Sequence, residues 1–170
     1  AQDAANAFYQ TTGSTTNATF AVSYFPNDER VLVSADEGGN ELNHIYVRER
    51  DGILRDLTPG ENLKAAFLAW RSDGDAFWIT SNERNPQVFD LYEYDAASYA
   101  RRLVYQNPGM EIADISRNGR WLTLVRARTT ADSNIYLVDL TASGRAREPR
   151  LVTEHTGNIN YGVYEFAPDG

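Results

Sequence analysis

His44 and His155 are the only two histidines in 170 residues, so any imidazole chemistry in this chain starts from them. An imidazole serves as general base when a serine or cysteine lies within hydrogen-bond reach and a carboxylate orients the ring. Neither histidine has a serine or cysteine placed nearby in sequence to form such a relay, and both read as structural or solvated side chains. No Gly-x-Ser-x-Gly elbow occurs, which removes the hydrolase nucleophile of that type from this chain. Cysteine is absent, excluding a disulfide framework and cysteine-based zinc sites. The acidic run Asp36-Glu37-Gly38-Gly39-Asn40-Glu41 lacks the alternating ligands of a calcium loop and reads as a solvated connection. Arg126 and Arg128, just before Thr129-Thr130-Ala131-Asp132-Ser133, read as a solvated face. Trp70, Trp78, Trp121 and the recurring tyrosines read as packing rather than a stacking platform. No catalytic, cofactor-binding or metal-ligating residue is assigned, and no cofactor is expected.

Charge and hydropathy narrow the partners. A net charge of −8 and a pI near 4.7, with no clustered basic face, argue against a nucleic-acid partner. No apolar run approaches the roughly eighteen residues of a membrane-spanning helix. The opening Ala1-Gln2-Asp3-Ala4-Ala5 is of the kind left after cleavage at a small-residue site, which points to a periplasmic or secreted protein.

The elements that carry these residues are announced by a repeat. Four polar turns follow an aromatic or aliphatic residue: Phe25-Pro26-Asn27-Asp28, Trp70-Arg71-Ser72-Asp73-Gly74, Ile115-Ser116-Arg117-Asn118-Gly119 and Phe166-Ala167-Pro168-Asp169-Gly170. Their leading residues lie 45, 45 and 51 positions apart, the period of a four-stranded propeller blade rather than of a helical repeat. Tyr46, Tyr92 and Tyr136 follow at spacings of 46 and 44. Each unit then closes on Arg55-Asp56-Leu57-Thr58, Arg102-Leu103-Val104-Tyr105 or Arg150-Leu151-Val152-Thr153.

Within each unit the turn separates two apolar strands. Ala65-Ala66-Phe67-Leu68-Ala69-Trp70 and Ile112-Ala113-Asp114-Ile115 precede it. Branched and aromatic runs suited to a half-buried pleat follow it, namely residues 31–34, 76–80 and 121–125. Asp73-Gly74, Asn118-Gly119 and Asp169-Gly170 tolerate the positive φ of tight hairpins, whereas Asp28-Glu29 lacks the glycine and predicts another turn type. The best helix candidate, Asp95 to Arg102, is short and falls where the repeat expects a loop. The expected fold is all-β: a β-propeller fragment of about three four-stranded blades plus the first strand of a fourth. After a lead-in over residues 1–16, the partial propeller covers 17–170, with blades near 17–58, 65–105 and 110–153 and the start of the next at 159–170. A ring of blades closes only when the last meets the first, so three blades and a strand are expected to belong to a longer protein.

The Trp-x-Ser-Asp-Gly and Phe-Ala-Pro-Asp-Gly units resemble the "W-S-P-D-G" signature shared by two groups. These are the periplasmic propeller protein of the Tol-Pal system and the N-terminal propellers of prolyl oligopeptidase family serine peptidases. Longer strings resemble bacterial members of the peptidase family: residues 36–49, Arg55-Asp56-Leu57-Thr58-Pro59-Gly60-Glu61, Asn82-Glu83-Arg84-Asn85-Pro86, Phe89-Asp90-Leu91-Tyr92 and residues 132–137. The resemblance runs from about Thr16 onward. It implies a non-catalytic propeller that screens short-peptide substrates for an α/β-hydrolase domain absent from this chain, where the Ser, Asp and His triad would lie. Dipeptidyl peptidase members place a glutamate pair in the propeller, and this sequence contains no Glu-Glu. The alternative is a Tol-Pal-type scaffold that binds proteins and carries no enzyme. Open strands at both ends also predict self-association, since an unpaired edge is a template for another chain.

Overall fold

The structure, a computed structural model, describes residues 18–163 and 165–167. The strands form three four-stranded antiparallel sheets, each taking its strands in chain order. The first sheet holds β1 (Thr19–Tyr24), β2 (Val31–Ala35), β3 (His44–Arg48) and β4 (Leu54–Asp56). The second holds β5 (Ala65–Trp70), β6 (Ala76–Asn85), β7 (Val88–Asp95) and β8 (Arg101–Tyr105). The third holds β9 (Glu111–Ile115), β10 (Trp121–Thr129), β11 (Asp132–Asp139) and β12 (Arg150–Leu151). No α-helix occurs among the described residues. A single 3-10 turn, Gly144–Arg147, leads into β12 and reaches the second sheet through a hydrogen bond from Arg147 to the Val104 carbonyl. The stretch from Asp95 to Arg102 is no helix but the end of β7, a turn over residues 96–100 and the start of β8, and the Asp95 carboxylate accepts the Ala97 and Ser98 amides at 3.1 and 2.7 Å.

The turns after β5 and β9 bear out the glycine reading, with Gly74 at φ +75 and Gly119 at φ +73. In the first blade neither Asp28 nor Glu29 has positive φ. The Asp28 carboxylate instead caps the turn by accepting the Arg30 amide at 2.9 Å. Strand pairing corrects the alignment of that blade by one residue. Tyr24 pairs with Val31, Trp70 with Phe77 and Ile115 with Leu122. Tyr24 therefore holds the position of Trp70 and Ile115. Phe25, the residue expected there, is the first of the turn and is buried. Counted in this register, each innermost strand carries a bulge at the same place: Val22, Leu68 and Ala113 are left out of the ladder, two positions before the strand end. A bulge adds a residue on one side and sharpens the local twist.

Sheets meet face to face through two apolar cores. Leu32, Ile45 and Val47 of the first sheet pack against Phe77, Ile79, Tyr92 and Tyr94 of the second. Trp78 and Leu91 of the second pack with Ile115, Leu122, Leu124 and Val138 of the third. Because side chains alternate across a strand, the neighbours Phe77 and Trp78, 0% and 1% exposed, enter opposite cores. Fully burying a side chain of this size stabilises by about 1.5–3 kcal/mol. Trp70 adds to the first joint, 4.8 Å from the Phe25 ring and donating its indole N–H to Ser23 Oγ at 2.8 Å. Trp70 and Trp78 thus pack between blades as expected. Trp121 instead sits under the Arg120 guanidinium, 4.6 Å from its ring centre.

After Leu151 the chain crosses the third sheet. Residues 159–163 and 165–167, where the next blade was expected to start, form no strand of their own and are held at Ser133 of β11 and Asp114 of β9. The Asp169-Gly170 turn lies outside the described residues.

Candidate functional site

The innermost strands build a concave surface. β5 lies between the first sheet and β9, and the two strands flank a cleft of about 620 Å³. Its floor carries the bulge residues Leu68 and Ala113, and its lip carries Arg71, Asp73, Arg117 and Glu165. Backbone contacts between successive turns fix the lip. The Ser72 amide donates to the Arg117 carbonyl at 2.9 Å, and Gly74 sits so close to the first turn that a Cβ there would lie 2.9 Å from Asn27 Nδ2. Arg71 Nε donates to both Asp73 oxygens, at 2.9 and 2.8 Å. The Asp75 amide and this guanidinium hold the Asp73 carboxyl below the usual carboxylate range. Asp114 positions the far wall, since one of its oxygens accepts the Phe166 amide at 2.7 Å. The cleft combines apolar lining residues with charges of both signs.

His44 opens β3 and donates or accepts through Nδ1 to Asp56 Oδ2 at 2.8 Å, stacked beside Tyr46. A second cleft of about 400 Å³ contains this pair with Glu37, Asn40, Glu61 and Asn62. Burial, with the nearby Asp56 and Glu37 carboxylates, pushes the Tyr46 phenol up from its ordinary pKa. By strand register Tyr46 matches Tyr92, which packs into the joint with the preceding sheet, so His44 and Tyr46 lie on the joint-forming face of the first blade. That placement explains an orienting carboxylate without a nucleophile. The acidic loop from Asp36 to Glu41 does connect the second and third strands, but it is not uniformly solvated. Asp36 is 7% exposed, and one of its carboxylate oxygens accepts the Glu41 amide at 3.2 Å.

His155 follows β12 and is buried, its Nδ1 2.9 Å from the Thr153 carbonyl and its Nε2 3.0 Å from Asp132 Oδ1. Those two acceptors raise its pKa above the ordinary imidazole value. Arg126 and Arg128 are exposed on β10, with Arg126 over the Tyr136 ring and Arg128 3.6 Å from Asp132. The structure brings His155 and Arg128 to the two oxygens of Asp132, whereas His44 pairs with Asp56 in another sheet. Sequence reasoning passed over Ser133 and Asp114, which anchor the crossing segment, and the three bulge residues. The bulges had one readable signal, a constant offset from the strand end once the first blade is shifted by a residue.

No protein-family model matches the chain, and no curated protein sequence matches it either. Among solved structures it is similar to TolB from Acinetobacter baumannii, at 18% identity and TM-score 0.50, over 79% of this chain and 32% of that one. It is similar to a prolyl endopeptidase at 14% identity and TM-score 0.58, over 84% of this chain and 23% of that one. A puromycin hydrolase matches at 13% identity and TM-score 0.57, over 85% and 23% respectively. The chain spans a third or less of the length of each of these three. At such identities the likeness shows the fold, and the chain is a partial β-propeller of the type these proteins contain.

Proposed function

We propose that this chain is the non-catalytic propeller portion of a serine peptidase that hydrolyses short peptides, gating their access to an α/β-hydrolase domain elsewhere in the protein. The observation that carries the reading is the cleft along the innermost strands. Its apolar residues Leu68 and Ala113 and its charged lip suit an extended peptide. The likeness to a prolyl endopeptidase and a puromycin hydrolase supports it at the level of fold. A periplasmic or secreted location belongs to the same reading.

The test uses the native protein. A fluorophosphonate probe labels one serine outside this chain, and Ala113→Trp, which fills the cleft floor, lowers kcat/KM for ten-residue peptides at least several-fold more than for a dipeptide-sized chromogenic substrate. Absence of any labelled serine overturns the peptidase reading and leaves the protein-binding scaffold. Equal loss for long and short substrates overturns the gating role alone.

A further inference from the structure

We propose that His155 is a protonation-controlled latch: as an imidazolium it fastens residues 153–161 across the start of β11, and losing its proton releases that strap. The geometry assigns the charge state. Nδ1 faces a carbonyl oxygen at 2.9 Å and Nε2 a carboxylate oxygen at 3.0 Å, and neither partner can donate. A neutral imidazole has one N–H and would turn a lone pair toward one of these acceptors, whereas the imidazolium satisfies both. The side chain is 5% exposed, so leaving one of these acceptors without a donor is costly.

The groups facing His155 are few. Asp132 at the start of β11 is its ion-pair partner and is itself 7% exposed; Arg128 on β10 reaches the other Asp132 oxygen at 3.6 Å; the Tyr161 ring of the strap lies 5.2 Å away. Arg128 opposes the imidazolium weakly, while Thr153 and Asp132 favour it. What the latch holds is equally specific. The Tyr161 amide donates to Ser133 Oγ at 2.7 Å, the Ser133 amide donates to the Ile159 carbonyl at 3.0 Å, and the Ile135 amide donates to Thr153 Oγ1 at 2.9 Å. Beyond the strap come Glu165 and Phe166, which line the inner cleft. The inference stands on this contact geometry and is independent of the peptidase reading.

A group whose pKa is raised by folding contributes stability that is complete below its unfolded value, about 6.5, and is lost as pH rises through the folded value. The strap's opening equilibrium therefore increases by up to about tenfold per pH unit within that window. The experiment is hydrogen exchange read by mass spectrometry on the native protein from pH 5.5 to 9, with amide rates corrected for their intrinsic pH dependence. The slow exchange of the imidazole C2–H reports the titration of His155 in the same samples. The expected result is a His155 midpoint above that of free imidazole, with peptides covering 129–136 and 153–163 losing protection along the same curve. His155→Gln makes that loss independent of pH. A midpoint at or below the free value, or strap protection that stays flat while His155 titrates, overturns the proposal, and both readings come from the unsubstituted protein.

Discussion

Replacing Gly119 by alanine separates the two reasons a glycine follows the asparagine in the third turn. The first is conformational: φ is +73, a region that costs a residue with a Cβ about 1–2 kcal/mol. The second is steric, because a Cβ at this position would lie 2.9 Å from Trp78 Cζ2. Trp78 cannot retreat, since it is 1% exposed and its indole N–H is donated to Glu93 at 3.2 Å. Forcing an atom into a filled core typically costs about 1–3 kcal/mol more. The expected total is roughly 2–5 kcal/mol, which for a chain of this size lowers Tm by roughly 4–20 °C. Gly157→Ala is the internal reference: φ there is +83, and nothing lies within 4 Å of the added carbon. It should show the conformational cost alone. Urea unfolding of both variants measures the difference, and Gly119→Ala combined with Trp78→Phe should recover about 1–2 kcal/mol of the steric part. Equal losses for Gly119→Ala and Gly157→Ala, or strict additivity with Trp78→Phe, would refute the turn-against-tryptophan contact as the source.

Three further outcomes follow from named contacts. Thr58→Val removes the hydroxyl that accepts the buried Ile45 amide at 2.9 Å, so urea unfolding should register a loss of about 1–3 kcal/mol. Leu122→Ala empties a fully buried position in the joint between the second and third sheets and should cost about 2–5 kcal/mol in the same assay. Arg120 and Thr141 hold the Asp139 carboxyl down to about 2. A depressed carboxylate stabilises above its unfolded value near 3.9 and loses that contribution as pH falls toward 2. NMR titration of Asp139 should thus move upward in Arg120→Gln, and an unchanged midpoint would exclude the ion pair as its main cause.

Much of the architecture was readable because the residues that signal it act locally. Asp73-Gly74 and Asn118-Gly119 fix hairpins through their own backbone preferences, and the tyrosines at 46, 92 and 136 mark the same pleat in three sheets. The first blade misled for a physical reason. Phe25 has the chemistry of its counterparts Trp70 and Ile115, but register is set by which amide meets which carbonyl, and the pairing of Tyr24 with Val31 puts Phe25 one step into the turn. Bulges at Val22, Leu68 and Ala113 were missed for the same cause, since their constant offset from the strand end shows only once the register of the first blade is right. The partner of His155 was not readable because it comes from a segment distant in the chain: Asp132 lies 23 positions before it.

The adjacency of Phe77 and Trp78 has a mechanical meaning. The two cores share no residue, yet these neighbours place one side chain in each, joined by a single peptide unit. Rotating the middle blade about its strand axis would drive one ring deeper into its core while withdrawing the other. Each joint therefore resists the loosening of its fellow, and the blades respond to torque as one stiff member instead of as three plates on separate hinges.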